Sequence, residues 1–372
     1  MAIEFTKKGG SLMESTMGPD DRLLVDALQV APRAAWSAIG HALGISAVTA
    51  ARRWQRLLDE GLGWVTAAPS MVARSAQCMA YVEITCRPSQ RYAVAYALAR
   101  HNLVVTVELT TGSADILITV AAKDLTTLSH YLLEHLSQVE GVLSSKARIA
   151  TRVYTEGSAW RVGDLTGPAL GSLERLRKQQ TGGDSRELVP NSESVKAMLV
   201  HLALDGRASC TELAEIAGTS PSTARRQLAT LLGSGIVILR TDVCAPAVGW
   251  PVQVYLWANT PVDSLTETAR TLSGFRQARL CATVTAGPSL ALCSWLHTVE
   301  EVHRLERAIS NRLPHVQIID RLIVLRQIKR NGRLLDEAGR AIGVIPINIW
   351  DDLLQHDQEA ERRTRDRYTA TA

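Results

Sequence analysis

Apolar residues recur at helical spacing three times in quick succession near the start of the chain. Between Asp20 and Gln29 they fall at Leu23, Leu24, Ala27 and Leu28, between Trp36 and Leu43 at Ile39, Ala42 and Leu43, and between Ser46 and Glu60 at Ala50, Trp54, Leu57 and Leu58. Steps of three and four put each set on one face, which predicts three amphipathic helices around a shared core. Gly44 closes the second helix and Ser46 caps the third, leaving only Ile45 between them, the tight connection of a helix-turn-helix. Gly61 stops the third helix, and Trp64-Val65-Thr66 reads as one strand of a wing.

The pattern changes after Pro69. Strands are expected at 79–86, 103–109, 115–121 and 142–154, with helices at 89–100 and 125–136. The order βαββαβ is ferredoxin-like: two helices cover one face of a four-stranded antiparallel sheet, and the other face stays apolar and open to pairing with a second copy. His130 and His135 share the second of these helices but stand five apart, so an α-helix would not bring them to one face.

The whole arrangement is then repeated. Arg33 recurs as Arg207 (207 − 33 = 174), and the same offset relates Ser46 to Ser220, Arg52 to Arg226, Leu57 to Leu231 and Gly61 to Gly235. Gly112 is answered by Gly287 at 175, which suggests a slip of one residue inside the second sheet. The fold class expected is α+β, a tandem duplication of a winged helix-turn-helix domain plus a ferredoxin-like βαββαβ domain. The divisions expected are a disordered arm at 1–18, helix-turn-helix domain 1 at 19–68, sheet domain 1 at 75–154, and a Gly-rich linker at 155–190. Helix-turn-helix domain 2 follows at 191–242, sheet domain 2 at 248–330, and a C-terminal extension at 331–372 with an amphipathic piece around Ile345, Ile347, Ile349, Trp350, Leu353 and Leu354.

Composition changes this picture little. At 46% hydrophobic and 21% charged the chain is ordinary globular protein, and a formal charge of +4 permits nucleic acid without arguing for it. Six scattered cysteines show neither a C-x-x-C nor a zinc spacing, so no metal and no cofactor is expected and the thiols read as free in a reducing cytosol. The first eighteen residues lack the apolar run of a signal peptide and no window suits a membrane span, so a cytoplasmic location without membrane partners is expected. Phosphate-loop, zinc-protease and nucleophile-elbow motifs do not occur, and the chain is not expected to be an enzyme.

The candidate chemistry therefore lies in the third helix of each unit. In a helix-turn-helix this helix enters the major groove, and arginine is the best bidentate partner for guanine or phosphate. The first copy offers Ser46, Val48, Thr49, Arg52, Arg53 and Arg56; the second offers Ser220, Ser222, Thr223, Arg225 and Arg226. One charged helix face is ordinary solvation, and a cap hydroxyl more often serves the backbone than a base. Two Ser-capped, acid-free, Arg-bearing helices in equivalent places point to double-stranded DNA.

Asp21-Arg22-Leu23-Leu24, Ile39-Gly40, Leu43-Gly44-Ile45-Ser46, Arg52-Arg53 and Leu57-Leu58-Asp59-Glu60-Gly61, echoed by Asp205-Gly206-Arg207, Glu212-Leu213-Ala214, Ser220, Arg225-Arg226 and Leu231 with Gly235, resemble the Lrp/AsnC family of transcription regulators. The resemblance implies a small-molecule effector, amino acid-like, bound near a Gly-x-x-Asp turn of the sheet domain. It also implies homodimers or larger homo-oligomers, with two units in one chain forming a covalent pseudo-dimer. Thr111, Gly112 and Asp115 match that turn; Gly287 matches in copy two, where Leu290 stands in place of the Asp. The same residues also read as a plain turn, made by Gly112 and capped by Asp115. Two other readings stay open: a tetrapyrrole decarboxylase of the sirohaem type, from an enzyme branch with a similar two-unit plan, and a helix-turn-helix kept only for docking proteins. The stretches 72–76 and 244–250 contain Arg74 alone, without the histidine of that enzyme branch.

Overall fold

A computed structural model describes residues 17–70, 77–181, 192–235 and 237–350. In the first half, α1 (Pro19–Val30), α2 (Trp36–Leu43) and α3 (Ala47–Asp59) lead into β1 (Gly63–Pro69). Then come β2 (Cys78–Cys86), α4 (Arg91–Ala99), β3 (Val104–Thr110), β4 (Ile116–Ala122), α5 (Leu125–His130) and β5 (Val142–Thr155). After α6 (Gly167–Thr181) the plan recurs as α7 (Glu193–Leu204), α8 (Cys210–Ala217), α9 (Pro221–Gly233) and β6 (Val237–Val243). It continues with β7 (Val252–Asn259), α10 (Leu265–Ser273), β8 (Ala278–Val284), β9 (Leu290–Leu296), α11 (Glu301–Arg312) and β10 (Gln317–Arg330). Two short strands, β11 (Arg333–Leu335) and β12 (Ala341–Val344), follow.

The helical stripes bury the residues whose spacing announced them: Leu24, Leu28, Ile39, Ala50, Trp54 and Leu57 form one core, and Met198, Leu202, Leu213, Ala224, Leu228 and Leu231 its counterpart. Gly44 and Gly218 each end the motif's first helix at φ 68 and 62, a left-handed corner that glycine makes at no steric cost. The wing strands do not fold back on their own domains. Instead β1 pairs antiparallel with β6, joining the two helix-turn-helix units in one ribbon. Thr66 lies opposite Arg240, its own equivalent at the 174 offset, so a pseudo-two-fold axis passes between them.

Each half then builds a sheet in ferredoxin-like order, β3-β4-β2-β5 and β8-β9-β7-β10. β5 and β10 are fourteen residues long and serve both sheets. Val142–Ile149 of β5 pairs with β2 and Ala150–Thr155 with β8, while the first part of β10 pairs with β7 and Val324–Arg330 with β3. The eight strands thus close on one another and leave no free edge among them. Alternation sends Val82, Ile84, Ile116 and Ile118 to the helices of the first sheet, and Tyr81, Leu117, Tyr255 and Trp257 into the space between the sheets. The open apolar face expected to pair with a second copy is covered by the other half of the same chain.

Several expectations need correction. Residues 155–181 are not a loose linker: Trp160, Val162, Leu165 and Leu173 are buried in the first helical core, and α6 lies against α1, α2 and α9. The reason is chemical as well as apolar. Asp26, fully buried, accepts from Arg161 Nε and Nη2 at 2.7 and 2.9 Å and from the Leu165 N–H at 2.6 Å, while Gln29 accepts from the Val162 N–H at 2.8 Å. Met17, assigned to the arm, is buried and donates its N–H to the Ala247 carbonyl; residues 1–16 lie outside the described residues, as do 182–191, Arg74, Leu353 and Leu354. The extension is not separate from the core either, since Leu334, Ile347 and Ile349 pack into the first sheet domain. His130 and His135 do meet, with ring centroids 5.2 Å apart, because Tyr131–His135 forms a π turn, whose five-residue repeat puts i and i+5 together.

Candidate nucleic-acid interface and the cavity between the sheets

The N-terminus of α3 is fixed by the Ser46 hydroxyl, which accepts from the Thr49 N–H at 3.0 Å and lies 2.8 Å from the Thr49 hydroxyl. Ser220 does the same for α9, accepting from Thr223 N–H and lying 2.9 and 3.0 Å from the Ser222 and Thr223 hydroxyls. These side chains satisfy helix ends. The arginines divide into two groups. Arg53 pairs with Asp20 and Arg56 with Asp21 and Glu60, which ties both back to α1 or to their own helix. Arg52, Arg225 and Arg226 are exposed, and Val48 stands 77% exposed at the start of α3. The face that remains for a partner is therefore Val48 and Arg52 in one copy and Arg225 and Arg226 in the other.

The spacing of the two faces is set by reciprocal arginines. Arg33 donates to the Gly206 and Ala208 carbonyls, both at 2.7 Å, and Arg207 donates to the Pro32 and Ala34 carbonyls at 2.5 and 2.9 Å. Arg207 also lies 4.0 Å from the ring centroid of Trp36.

The turn singled out for an effector is engaged in the contact between the halves. Thr111 N–H donates to Ile323 O and Thr111 Oγ1 accepts from Ile323 N–H; Thr285 and Ile149 repeat both bonds at the same offset. A Cβ on Gly112, at φ 88, would lie 2.9 Å from Leu322. Asp115 accepts from the Cys86 N–H at 2.9 Å and pairs with Arg91 at 2.5 Å. Its counterpart is Ser289 rather than Leu290, because Ser289 Oγ accepts from Thr260 N–H, the position equivalent to Cys86. The register is unbroken, and the glycine alone has moved: Ala286, equivalent to Gly112, itself has φ 62. Gly287 has open space around it.

A cavity that sequence reasoning missed lies between the sheets, under the β1–β6 ribbon and on the pseudo-two-fold axis. Its volume is about 100 Å³. At one wall, Asp242 pairs with Arg240 at 2.9 Å and Arg279 at 3.0 Å, and accepts from Asn331 at 3.0 Å. Burial alone would raise the Asp242 pKa, but Arg240, Arg330 and Arg279 outweigh it and hold the group well below the ordinary carboxylate range. Arg279 stacks 3.8 Å from the Trp295 ring centroid, and Arg330 donates to Val243 O at 2.5 Å. Glu156, half-buried here, has its pKa raised by desolvation, against the opposing pull of Arg240. At the other wall, Glu108 Oε1 accepts from Gln253 and Gln327, both at 2.7 Å. Burial raises the Glu108 pKa by more than its bonds to Gln327, Tyr255 and Gln253 lower it. Among the described residues, Tyr81 Oη and Arg330 Nε have no hydrogen-bond partner.

A family described as AsnC-type helix-turn-helix domain matches residues 19–58, one described as Lrp/AsnC ligand binding domain matches 79–160, and one described as winged helix-turn-helix DNA-binding matches 192–238. An uncharacterised HTH-type transcriptional regulator of Pyrococcus horikoshii is 28% identical over 140 residues, 37% of this chain and 89% of that protein. A similarly described protein of Pyrococcus furiosus is 29% identical over 140 residues, 37% of this chain and 95% of its own length. Among solved structures, the siroheme decarboxylase NirDL superimposes on 84% of this chain and 93% of its own at a TM-score of 0.53 and 14% identity. Escherichia coli AsnC covers 37% of this chain and 93% of its own at a TM-score of 0.30 and 17% identity. The likeness to the decarboxylase is one of fold.

Proposed function

Since the chain belongs to the Lrp/AsnC family, with a second winged helix-turn-helix unit in tandem, we propose that it is a sequence-specific DNA-binding transcription regulator answering to a small-molecule effector. The observation that carries this reading is the pair of arginine-bearing third helices held in fixed relation by the Arg33 and Arg207 clamp and the β1–β6 ribbon. One chain here carries both helices. Arg52 in one copy and Arg225 and Arg226 in the other read base edges or phosphates, and Val48 is placed to meet a thymine methyl group. An effector acts by favouring one arrangement of associated chains over another, which changes how their paired heads fit the DNA.

The test is a mobility shift on fragments of the gene's own upstream region across a salt series. Phosphate contacts make the logarithm of affinity fall linearly with the logarithm of salt concentration. The expected result is a discrete complex that resists competitor DNA, with affinity lost in a triple Arg52→Ala, Arg225→Ala, Arg226→Ala variant. Absence of any complex at low salt would contradict the reading and turn attention to tetrapyrrole chemistry, although no histidine lines the cavity among the described residues.

A further inference from the structure

α6 joins the two units and belongs fully to neither. Ala169, Leu170, Leu173 and Leu176 fall on one face of it and pack into the first helical core. The helix also lies against α9, the reader of the second unit. Its exposed charged residues are Glu174, Arg175, Arg177 and Lys178, three cations to one acid. Arg175 and Lys178 come two positions after Leu173 and Leu176, about 200° round the helix, and so stand on the face turned away from the core. Among the described residues neither of them makes an ion pair, whereas Arg53 and Arg56 of α3 are tied to Asp20, Asp21 and Glu60.

A linking helix needs the apolar face but not the charges. A lysine in the last turn suits the helix dipole, which accounts for Lys178; that effect fades within one turn and leaves Arg175 unexplained. Nor are the cations a legacy of the duplication. At the 174 offset Arg175, Arg177 and Lys178 are answered by Ile349, Asp351 and Asp352. The basic helix is therefore made once per chain, beside one of the two readers.

Its place in the fold says what it can meet. In a helix-turn-helix the first helix crosses the DNA backbone and the second enters the major groove. α6 touches α2, the first of these helices in one unit, and α9, the second in the other. It lies between two elements that face the duplex, and its basic outer face complements the phosphates there.

We infer that α6 is a third DNA-contacting element, with Arg175 and Lys178 holding phosphates beside the groove that α9 enters. The inference rests on the regulator reading. Phosphate contacts position a protein on the duplex without reading its sequence. α6 therefore strengthens the grip of the second head, while base recognition there stays with Arg225 and Arg226.

Fluorescence anisotropy of the full chain across a salt series tests this, on a fragment of the gene's own upstream region and on an unrelated duplex of equal length. Arg175→Gln with Lys178→Gln is expected to weaken binding to both duplexes by the same factor, leaving their ratio unchanged. The slope of log affinity against log salt should become shallower by about 1.8, from two phosphate contacts at about 0.9 each. Between about 50 and 200 mM salt the natural chain then loses about twelvefold more affinity than the variant does. Arg175→Lys with Lys178→Arg keeps both charges and is expected to keep the natural slope. An unchanged slope, a loss confined to the upstream fragment, or tighter binding by the Gln variant would overturn the inference and leave the regulator reading standing. No complex of the natural chain with either duplex at low salt would overturn both.

Discussion

Arg33 and Arg207 perform the same act in opposite directions: each crosses to the other helix-turn-helix unit and donates two hydrogen bonds to carbonyls flanking its counterpart. Carbonyls at 32 and 34 answer Arg207, and those at 206 and 208 answer Arg33, so the clamp is a consequence of duplication with the two-fold retained. Burial lowers the Arg207 pKa, with Arg33 nearby adding to the effect, to about 10, still far above neutral pH. Each single alanine substitution is expected to cost about 1.5–3 kcal/mol, the range for hydrogen bonds from a charged group. The double substitution should cost more than the sum of the two, because each single change relieves the repulsion between the arginines and that relief can be gained only once. Urea denaturation of the four proteins checks this, and strict additivity would argue against coupling.

The recognition arginines should separate by their partners. Arg52→Ala, Arg225→Ala and Arg226→Ala are each expected to weaken DNA binding by about 1–3 kcal/mol where the side chain reads a base. Arg53→Ala and Arg56→Ala should do less, since Asp20, Asp21 and Glu60 already hold those guanidiniums. Equal losses in both groups, measured by fluorescence anisotropy on one operator, would sink the distinction.

Asp242→Asn should destabilise strongly, by about 3–5 kcal/mol, because it strands arginines in the interior. The group's folded pKa lies below its unfolded one, so its contribution is present above the unfolded carboxylate pKa of about 3.9 and is lost as pH falls from there. Thermal unfolding of the natural chain should therefore decline below about pH 4 more steeply than that of the Asn variant. Parallel declines would contradict the assignment.

Lys329 behaves in the opposite sense from a salt-bridged cation. Buried and donating to the His101 carbonyl at 2.9 Å, it has its pKa lowered by burial from 10.5 to about 7. Between those values the folded state holds fewer protons than the unfolded, so stability rises with pH across that interval. Lys329→Met is expected to stabilise the chain at pH 6, on the order of 1–4 kcal/mol, with a smaller gain near pH 10. A variant less stable than the natural chain at pH 6 would show that the ammonium group contributes more than burial costs it.

The helices and strands were legible because their periodicity is strong: Leu24, Ile39 and Trp54 fall where one buried face requires them, and Ser46 and Gly44 mark the ends. The 174 offset gave the architecture. What the sequence did not disclose was long-range pairing. Nothing local says that β1 would join β6, or that Asp26 would draw Arg161 and Leu165 into the first core and turn a Gly-rich stretch into a strap and helix. Of the candidate site, Arg52, Arg225 and Arg226 lie on an open face, whereas the cap hydroxyls and Arg53 and Arg56 are engaged by their neighbours. The cavity left a signal that a search for likeness passes over. Arg240 and Arg279, standing at the positions equivalent to Thr66 and Val105, mark where the two copies differ.

The central claim is that one chain presents two DNA readers at fixed spacing. Hydroxyl-radical footprinting with protein shown to be monomeric on the DNA tests it most directly. The account requires two protected stretches about one helical turn, roughly 10 base pairs, apart, with Arg52→Ala fading one and the paired Arg225→Ala, Arg226→Ala change fading the other. A single protected stretch, or one that all these substitutions weaken together, would contradict it.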